Sequence, residues 1–298
     1  MKKKIIITGI ITAAVLAAAA AVFFGMRARQ MPAPPAATAK TEKTSGFPVA
    51  TEDISEIVIK SADRTIDIYI PKIKWLENNV WHMKEPYDTM ASDAFIDSSI
   101  LPQLGSITFS EEAKEPGAER ARLTVTVGGK EYEFILGSDK DGKTPVEYNG
   151  KVYLEPTETF AFVDADIHDY LSRLVSYVNI NAVDRVTMEY GDKKHTIEIK
   201  GDKKTDFIAD GKKKETEPSR ELYIELIGVL AAGLYNGQEL GETVLTVSFE
   251  GEEPTRVEYK RLTDEAVAVV KNGKAIFVTH RIDIDTLIGK INEYYGGE

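Results

Sequence analysis

One pattern in this chain occurs twice, which limits it to folds that can be built from a unit and its copy. Leu123-Thr124-Val125 recurs as Leu245-Thr246-Val247, 122 positions on, and Asn149-Gly150-Lys151 recurs as Asn272-Gly273-Lys274, 123 positions on. The offsets nearly coincide, and the periodicities around them follow in the same order. Residues 54–60 and 65–70 alternate apolar with polar side chains around a polar turn at 61–64, the pattern of a half-buried hairpin. Strand character continues through 80–83 to Pro86. Residues 88–104 then change period and place Ala91, Ala94, Phe95, Ile100, Leu101 and Leu104 on one helical face, with Asp88 or Ser92 as cap and Pro102 in the last turn. Strand patterns return at 123–127, 132–136, 146–148 and 152–154, and 166–178 reads as a closing helix.

The second copy repeats this succession. A hairpin is predicted over 183–190 and 196–200, a short strand at 207–208, and an apolar helix over 218–234 carrying Leu222, Leu226, Ile227, Leu230 and Leu234. Strands follow at 244–249, 256–259, 266–270 and 275–278, and a terminal helix at 284–294. Asn-Gly between short apolar runs marks a tight hairpin in each copy, since both residues tolerate positive φ. The reading is an α+β fold: two tandem duplicated units of antiparallel strands packed with helices, at 50–180 and 181–298, after an N-terminal transmembrane helix.

That leading helix is expected from residues 5–26, an uncharged run of 22 residues behind Lys2, Lys3 and Lys4. At about 1.5 Å per residue it reaches roughly 33 Å, enough for a hydrocarbon core of about 30 Å. It is longer than the apolar region of a secretory signal peptide, so residues 1–26 read as an uncleaved membrane anchor, although Ala19 and Ala21 leave a cleavage site open. Three lysines before the run against Arg27 and Arg29 after it favour a cytoplasmic N-terminus and an extracytoplasmic body. Residues 27–49, rich in Pro, Ala and Thr, read as a linker; in polyproline geometry its first 20 residues, to Gly46, would reach roughly 60 Å.

Charge narrows the partners. The chain of 298 residues carries 37 basic and 48 acidic side chains, but the first 43 residues hold seven of the basic ones and only Glu42 of the acidic ones. The remainder has 30 basic against 47 acidic residues, a net charge of −17. Such a body is repelled by phosphate backbones and anionic headgroups, so neither nucleic acid nor surface adsorption to lipid is expected. Cysteine is absent, which removes disulfides, thiol nucleophiles and cysteine metal sites.

Residues 137–144, Gly-Ser-Asp-Lys-Asp-Gly-Lys-Thr, match the phosphate-loop pattern GxxxxGK[ST] letter for letter. That loop requires a strand leading in and a helix leading out. Here Pro145, Val146 and Tyr148 continue as a strand, and Asp139 and Asp141 would oppose phosphate charge, so a hairpin loop is expected and no nucleotide. The calcium-loop reading of Asp139, Asp141 and Gly142 fails at its first and twelfth positions, Gly137 and Tyr148. His82, His168, His195 and His280 lack metal-ligand spacing, and GxSxG, SxxK and GxGxxG are missing. Asp164 and Asp166 read as loop and cap residues, and Trp75, Trp81 and Tyr87 as core rather than a ligand shelf. The helical face from Leu222 to Leu234 either covers its own sheet or docks a partner. No catalytic, cofactor-binding or metal-ligating residue is assigned, no cofactor is expected, and the chain is read as no enzyme.

The set Trp81, Pro86, Asp93, Ile100, Leu101, Leu104 and Ile107, followed by residues 134–137 and Val152-Tyr153-Leu154, resembles the bacterial family called domain of unknown function 4340. The resemblance covers about residue 54 to the C-terminus and rests on hydrophobic positions. It implies an N-terminal membrane segment and association with ABC-type export permeases and gliding-motility-like auxiliary subunits. It supplies no catalytic residue. The functional expectation is a membrane-anchored, extracytoplasmic, non-enzymatic accessory protein whose partners are the membrane, through its N-terminal helix, and an ABC-type permease or auxiliary subunit. The alternative is a module that binds a small ligand, a cation or a wall polymer between its repeats.

Overall fold

The computed structural model describes residues 50–71 and 80–296. The described residues form one compact unit. Nine strands make a first antiparallel sheet: β1 (Ile54–Ser61), β2 (Thr65–Tyr69), β3 (His82–Glu85), β4 (Thr89–Met90), β5 (Glu112–Ala113), β6 (Glu119–Val127), β7 (Lys130–Gly137), β8 (Lys143–Tyr148) and β9 (Lys151–Pro156). Their order is β4-β3-β2-β1-β6-β7-β8-β9-β5. Nine more make a second: β10 (Val183–Tyr190), β11 (Lys193–Lys200), β12 (Asp206–Ala209), β13 (Lys212–Lys214), β14 (Gly233–Leu234), β15 (Thr243–Gly251), β16 (Thr255–Arg261), β17 (Ala266–Lys271) and β18 (Lys274–His280). Their order, β13-β12-β11-β10-β15-β16-β17-β18-β14, matches the first sheet strand for strand.

The match extends to irregularities. A 3₁₀ turn precedes each leading strand, Thr51–Asp53 before β1 and Ile180–Ala182 before β10. Each leading strand then carries a register shift at the same place, between Ile54 and Glu56 in one and between Val183 and Arg185 in the other. The Asn-Gly match is in register: Tyr148 pairs with Lys151, and Lys271 with Lys274, 123 positions on. The Leu-Thr-Val match is not. Ile54 faces Val127 and Val183 faces Gly251, so the position of Leu123 opposite Ile59 belongs to Val247 opposite Met188, and not to Leu245. A slip of two residues keeps every side chain on its face, which is why the sequence alignment tolerates it.

Alternation along the strands buries one face of each sheet. Ile57, Ile59, Ile66, Ile68, Leu123, Val125, Phe134 and Leu136 do so in the first, and Val186, Met188, Ile197, Ile199, Val247, Phe249, Val257 and Tyr259 in the second. Besides a three-residue α-helical turn at Asp93–Phe95, four α-helices accompany them among the described residues: α1 (Leu101–Ser106), α2 (Ile167–Tyr170), α3 (Thr216–Ile227) and α4 (Arg281–Gly296). Leu104, Tyr170, Leu222, Leu226, Ile284, Leu287 and Ile291 close the core from the helical side, and one hydrophobic cluster includes residues of both sheets.

The expected α+β class is corrected. The described residues are mainly β, and three of the expected helices are shortened or broken. The helix expected over 88–104 starts only after β4: Ser92 Oγ accepts the Phe95 N–H at 3.3 Å, and the run is interrupted by a π-helical stretch, Ile96–Ile100, immediately before Leu101-Pro102. Pro102 has no N–H to donate into the preceding turn, so regular pairing fails there. The helix expected over 166–178 shrinks to one turn, and the helix expected over 218–234 ends at Ile227, capped by Gly228. No helix among the described residues is long and apolar enough to cross a membrane. The expected anchor and linker, residues 1–26 and 27–49, lie outside the described residues.

Candidate functional site

Where the two lost helical segments would have been, the chain instead joins the sheets. Residues 171–175 run as a strip, bent at Arg173 and Val175, with a neighbour on each side. Toward the first sheet, the Ser92 N–H donates to the Tyr170 carbonyl at 2.8 Å and the Ser172 N–H to the Met90 carbonyl at 3.1 Å, with Ala91 and Leu171 bridged antiparallel. Toward the second, the Ala231 N–H donates to the Arg173 carbonyl at 2.7 Å and the Val175 N–H to the Val229 carbonyl at 3.1 Å, with Leu174 bridged to Leu230. The chain continues from Ala232, whose N–H reaches the Val278 carbonyl at 2.8 Å, into β14. The strip therefore links the β4 edge of one sheet to the β14 edge of the other.

Local chemistry explains why these residues leave the helix. Asp166 accepts the His168 N–H at 2.9 Å and starts α2, but Ser172 Oγ accepts the Leu174 N–H at 3.2 Å, a local bond that competes with the next helical turn. Val175 and Val178 are β-branched and buried, a combination that favours a pleated neighbour. The Arg173 side chain donates from Nε and Nη2 to the Ala231 carbonyl at 3.3 and 3.4 Å, which holds the strip on its second side. A cleft of about 150 Å³ lies beside the strip, lined by His168, Leu171, Arg173, Ala231, Leu234 and Phe277.

A charged group spans the same two sheets. Lys271, at the end of β17, is half-buried, and burial holds its amine below the usual lysine range, against the opposing pull of Asp88 and Glu253. His82 on β3 is depressed by burial first and by Lys271 second, with Asp88 acting the other way. Burial raises the Tyr69 phenol, and Asp88 and Glu253 add to that. A cation from the second sheet thus sits within electrostatic reach of a histidine and a carboxylate from the first. The group provides charge complementarity across the joint; its histidine and lysine oppose each other's protonation.

Of the residues singled out from the sequence, Asp139 and Asp164 are brought together on Arg120, and His195 lies elsewhere, beside Asp210. Residues 137–144 form strand, turn and strand: Lys140 and Lys143 exchange backbone bonds at 2.8 and 3.0 Å around Asp141 (φ 53°) and Gly142 (φ 77°). Gly137 is required for another reason, since a Cβ there would stand 1.9 Å from the Pro116 carbonyl oxygen. Asp139 pairs with Arg120 at 2.8 Å and accepts from Thr144 Oγ1 at 2.5 Å, while Lys143 pairs with Glu111. Asp164 also pairs with Arg120, at 2.9 Å. His195 stacks on Tyr295 with centroids 4.0 Å apart and contacts Asp210 at 2.8 Å. Among the described residues, no group of three or more His, Asp or Glu side chains is placed to hold a metal ion. Trp81 is buried and Tyr87 packs against the core; Trp75 lies outside the described residues. On α3, Leu222 and Leu226 are buried, whereas Ile224 is 62% exposed.

Sequence reasoning missed Glu155. It is 2% exposed on β9, and its Oε1 accepts the Phe109 N–H at 2.6 Å. Phe109 has φ 49° and lies against Phe134, Tyr148 and Tyr153, with centroids 4.8 to 6.1 Å apart. Burial raises the Glu155 carboxyl, and the N–H groups of Phe109 and Thr108 oppose that rise. The strip was also missed; its signal was the pair of β-branched residues at 175 and 178 after a serine.

Comparison of the chain with protein-family models, with curated proteins and with solved structures finds no match.

Proposed function

We propose that this chain is a membrane-anchored, extracytoplasmic, non-enzymatic accessory protein that binds another protein as a subunit of an ABC-type transport or envelope complex. The observation that carries the reading is the disposition of its reactive side chains. Asp139 and Asp164 are tied to one arginine, Arg120, and His195 to Asp210, in structural ion pairs. Exposed apolar side chains such as Ile224 on α3 and Leu230 beside the strip offer contact surface instead. Membrane attachment is supported by the uncharged run at residues 5–26, and the transporter association by the resemblance to domain of unknown function 4340.

Recovery of the full chain from detergent-solubilised membranes tests this. Stoichiometric capture of a polytopic permease is the expected result; solitary protein overturns it. A second reading, binding of a small ligand at the joint, is favoured by the half-buried Lys271 of the second sheet lying within electrostatic reach of the half-buried His82 of the first. It is supported if the solitary protein shows saturable binding that Lys271→Met abolishes.

A further inference from the structure

The internal joint uses one edge of each kind. It brings the β4 edge of the first sheet to the β14 edge of the second. Because the two sheets share one strand order, the edges left over are the counterparts of those two. The outer edge of the first sheet, β5, corresponds to β14; the outer edge of the second, β13, corresponds to β4. The molecule therefore ends in the same two kinds of edge that it has already brought together internally.

The two outer edges are also opposite in charge. β5 lies in a stretch with Glu111, Glu112 and Glu115, and β13 is Lys212-Lys213-Lys214. Both are exposed at these positions except for Lys214 and Ala113, which are half-buried. Lysines on an edge strand discourage neutral or like strands from adding to it, and by the same field they favour an acidic one. The ion pairs that Glu112 makes with Lys151 at 2.8 Å and that Lys213 makes with Asp206 at 3.6 Å join well-exposed side chains, so they are weak and exchangeable.

From this we infer that the β13 edge of one molecule adds to the β5 edge of a second copy of this chain, head to tail. The internal joint carries residues 171–175 between its edges; the contact between copies is direct. It is heterologous, since each molecule contributes a different edge, and the pair keeps one free edge of each kind, one on each copy, to offer onward. The strands are short, two and three residues, so the contact is weak and driven by charge.

Sedimentation velocity on the full chain in a nonionic detergent tests it. At about 20 mM salt the average mass should rise with protein concentration, and at about 300 mM the rise should vanish, as screening of exposed charges requires. Two charge-reversal variants separate this from association through any other surface. Lys212→Glu with Lys213→Glu makes both outer edges acidic; Glu111→Lys with Glu112→Lys makes both basic. Each alone should lose association by about tenfold or more, and an equal mixture should recover it, because each mismatched edge then meets an opposite one. A mass independent of concentration at low salt overturns the proposal. So does association that survives either reversal, or a mixture that stays monomeric while both variants keep the wild-type circular dichroism spectrum.

Discussion

Glu155 accepts backbone N–H groups from a loop whose turn residue, Phe109, is a phenylalanine at positive φ. Replacing it by Ala strands those donors in a buried place, which should cost about 1–3 kcal/mol; Glu155→Gln keeps an acceptor and should cost clearly less. Urea denaturation of both variants reads the difference. Two residues of the phosphate-loop string separate in the same way. Gly137→Ala drives a methyl into the Pro116 carbonyl, and overpacking of that kind costs about 1–3 kcal/mol, whereas Lys143→Ala removes an exposed ion pair worth roughly 0–1 kcal/mol. His82 supplies a pH dependence. Its folded pKa lies below the 6.5 of the free side chain, so the unfolded chain takes up a proton first as pH falls through 6.5. Stability should therefore drop below pH 6.5 and level off once the folded histidine also protonates, and His82→Gln should flatten that slope. Because Lys271 helps depress His82, Lys271→Met should move the imidazole titration upward, as followed by NMR.

Elements divide into those their own residues dictate and those their neighbours dictate. Strands with strict alternation, such as β1, β6 and β15, and the Asn-Gly hairpins at 149–150 and 272–273 were legible because period and turn chemistry are local. Residues 171–175 and 229–231 were not, since their apolar spacing suits a helix face as well as a buried strip. The tertiary partner decides: the Val175 and Ala231 N–H groups find carbonyls on each other's segment, and Gly228 releases the chain from α3 to reach them. The Glu155 clamp and the repulsion between Lys271 and His82 were illegible for a related reason, because each involves residues far apart in sequence. Val175→Pro deletes the bond to Val229 inside a fully buried site and should cost about 3 kcal/mol or more. Hydrogen exchange should show the Ser172, Val175 and Ala231 amides protected in the wild type; in the variant, which has no amide hydrogen at 175, those of Ser172 and Ala231 should become fast.

One hydrophobic cluster contains residues of both sheets, and the strip bonds to both, so neither sheet keeps all its partners without the other. Calorimetry should accordingly give one cooperative transition for the body rather than two, and a van't Hoff enthalpy well below the calorimetric one would contradict this. The strip also gives biosynthesis a direction. The segment that completes the first repeat emerges from the ribosome about 55 residues before Val229 and Ala231, its second-side partners, and at about 5–20 residues per second that is an interval of roughly 3 to 11 seconds. Throughout it a nascent edge with a leucine and a valine waits half-bonded, which makes this the moment when a holdase, or a neighbouring polysome, has most to gain from touching the chain.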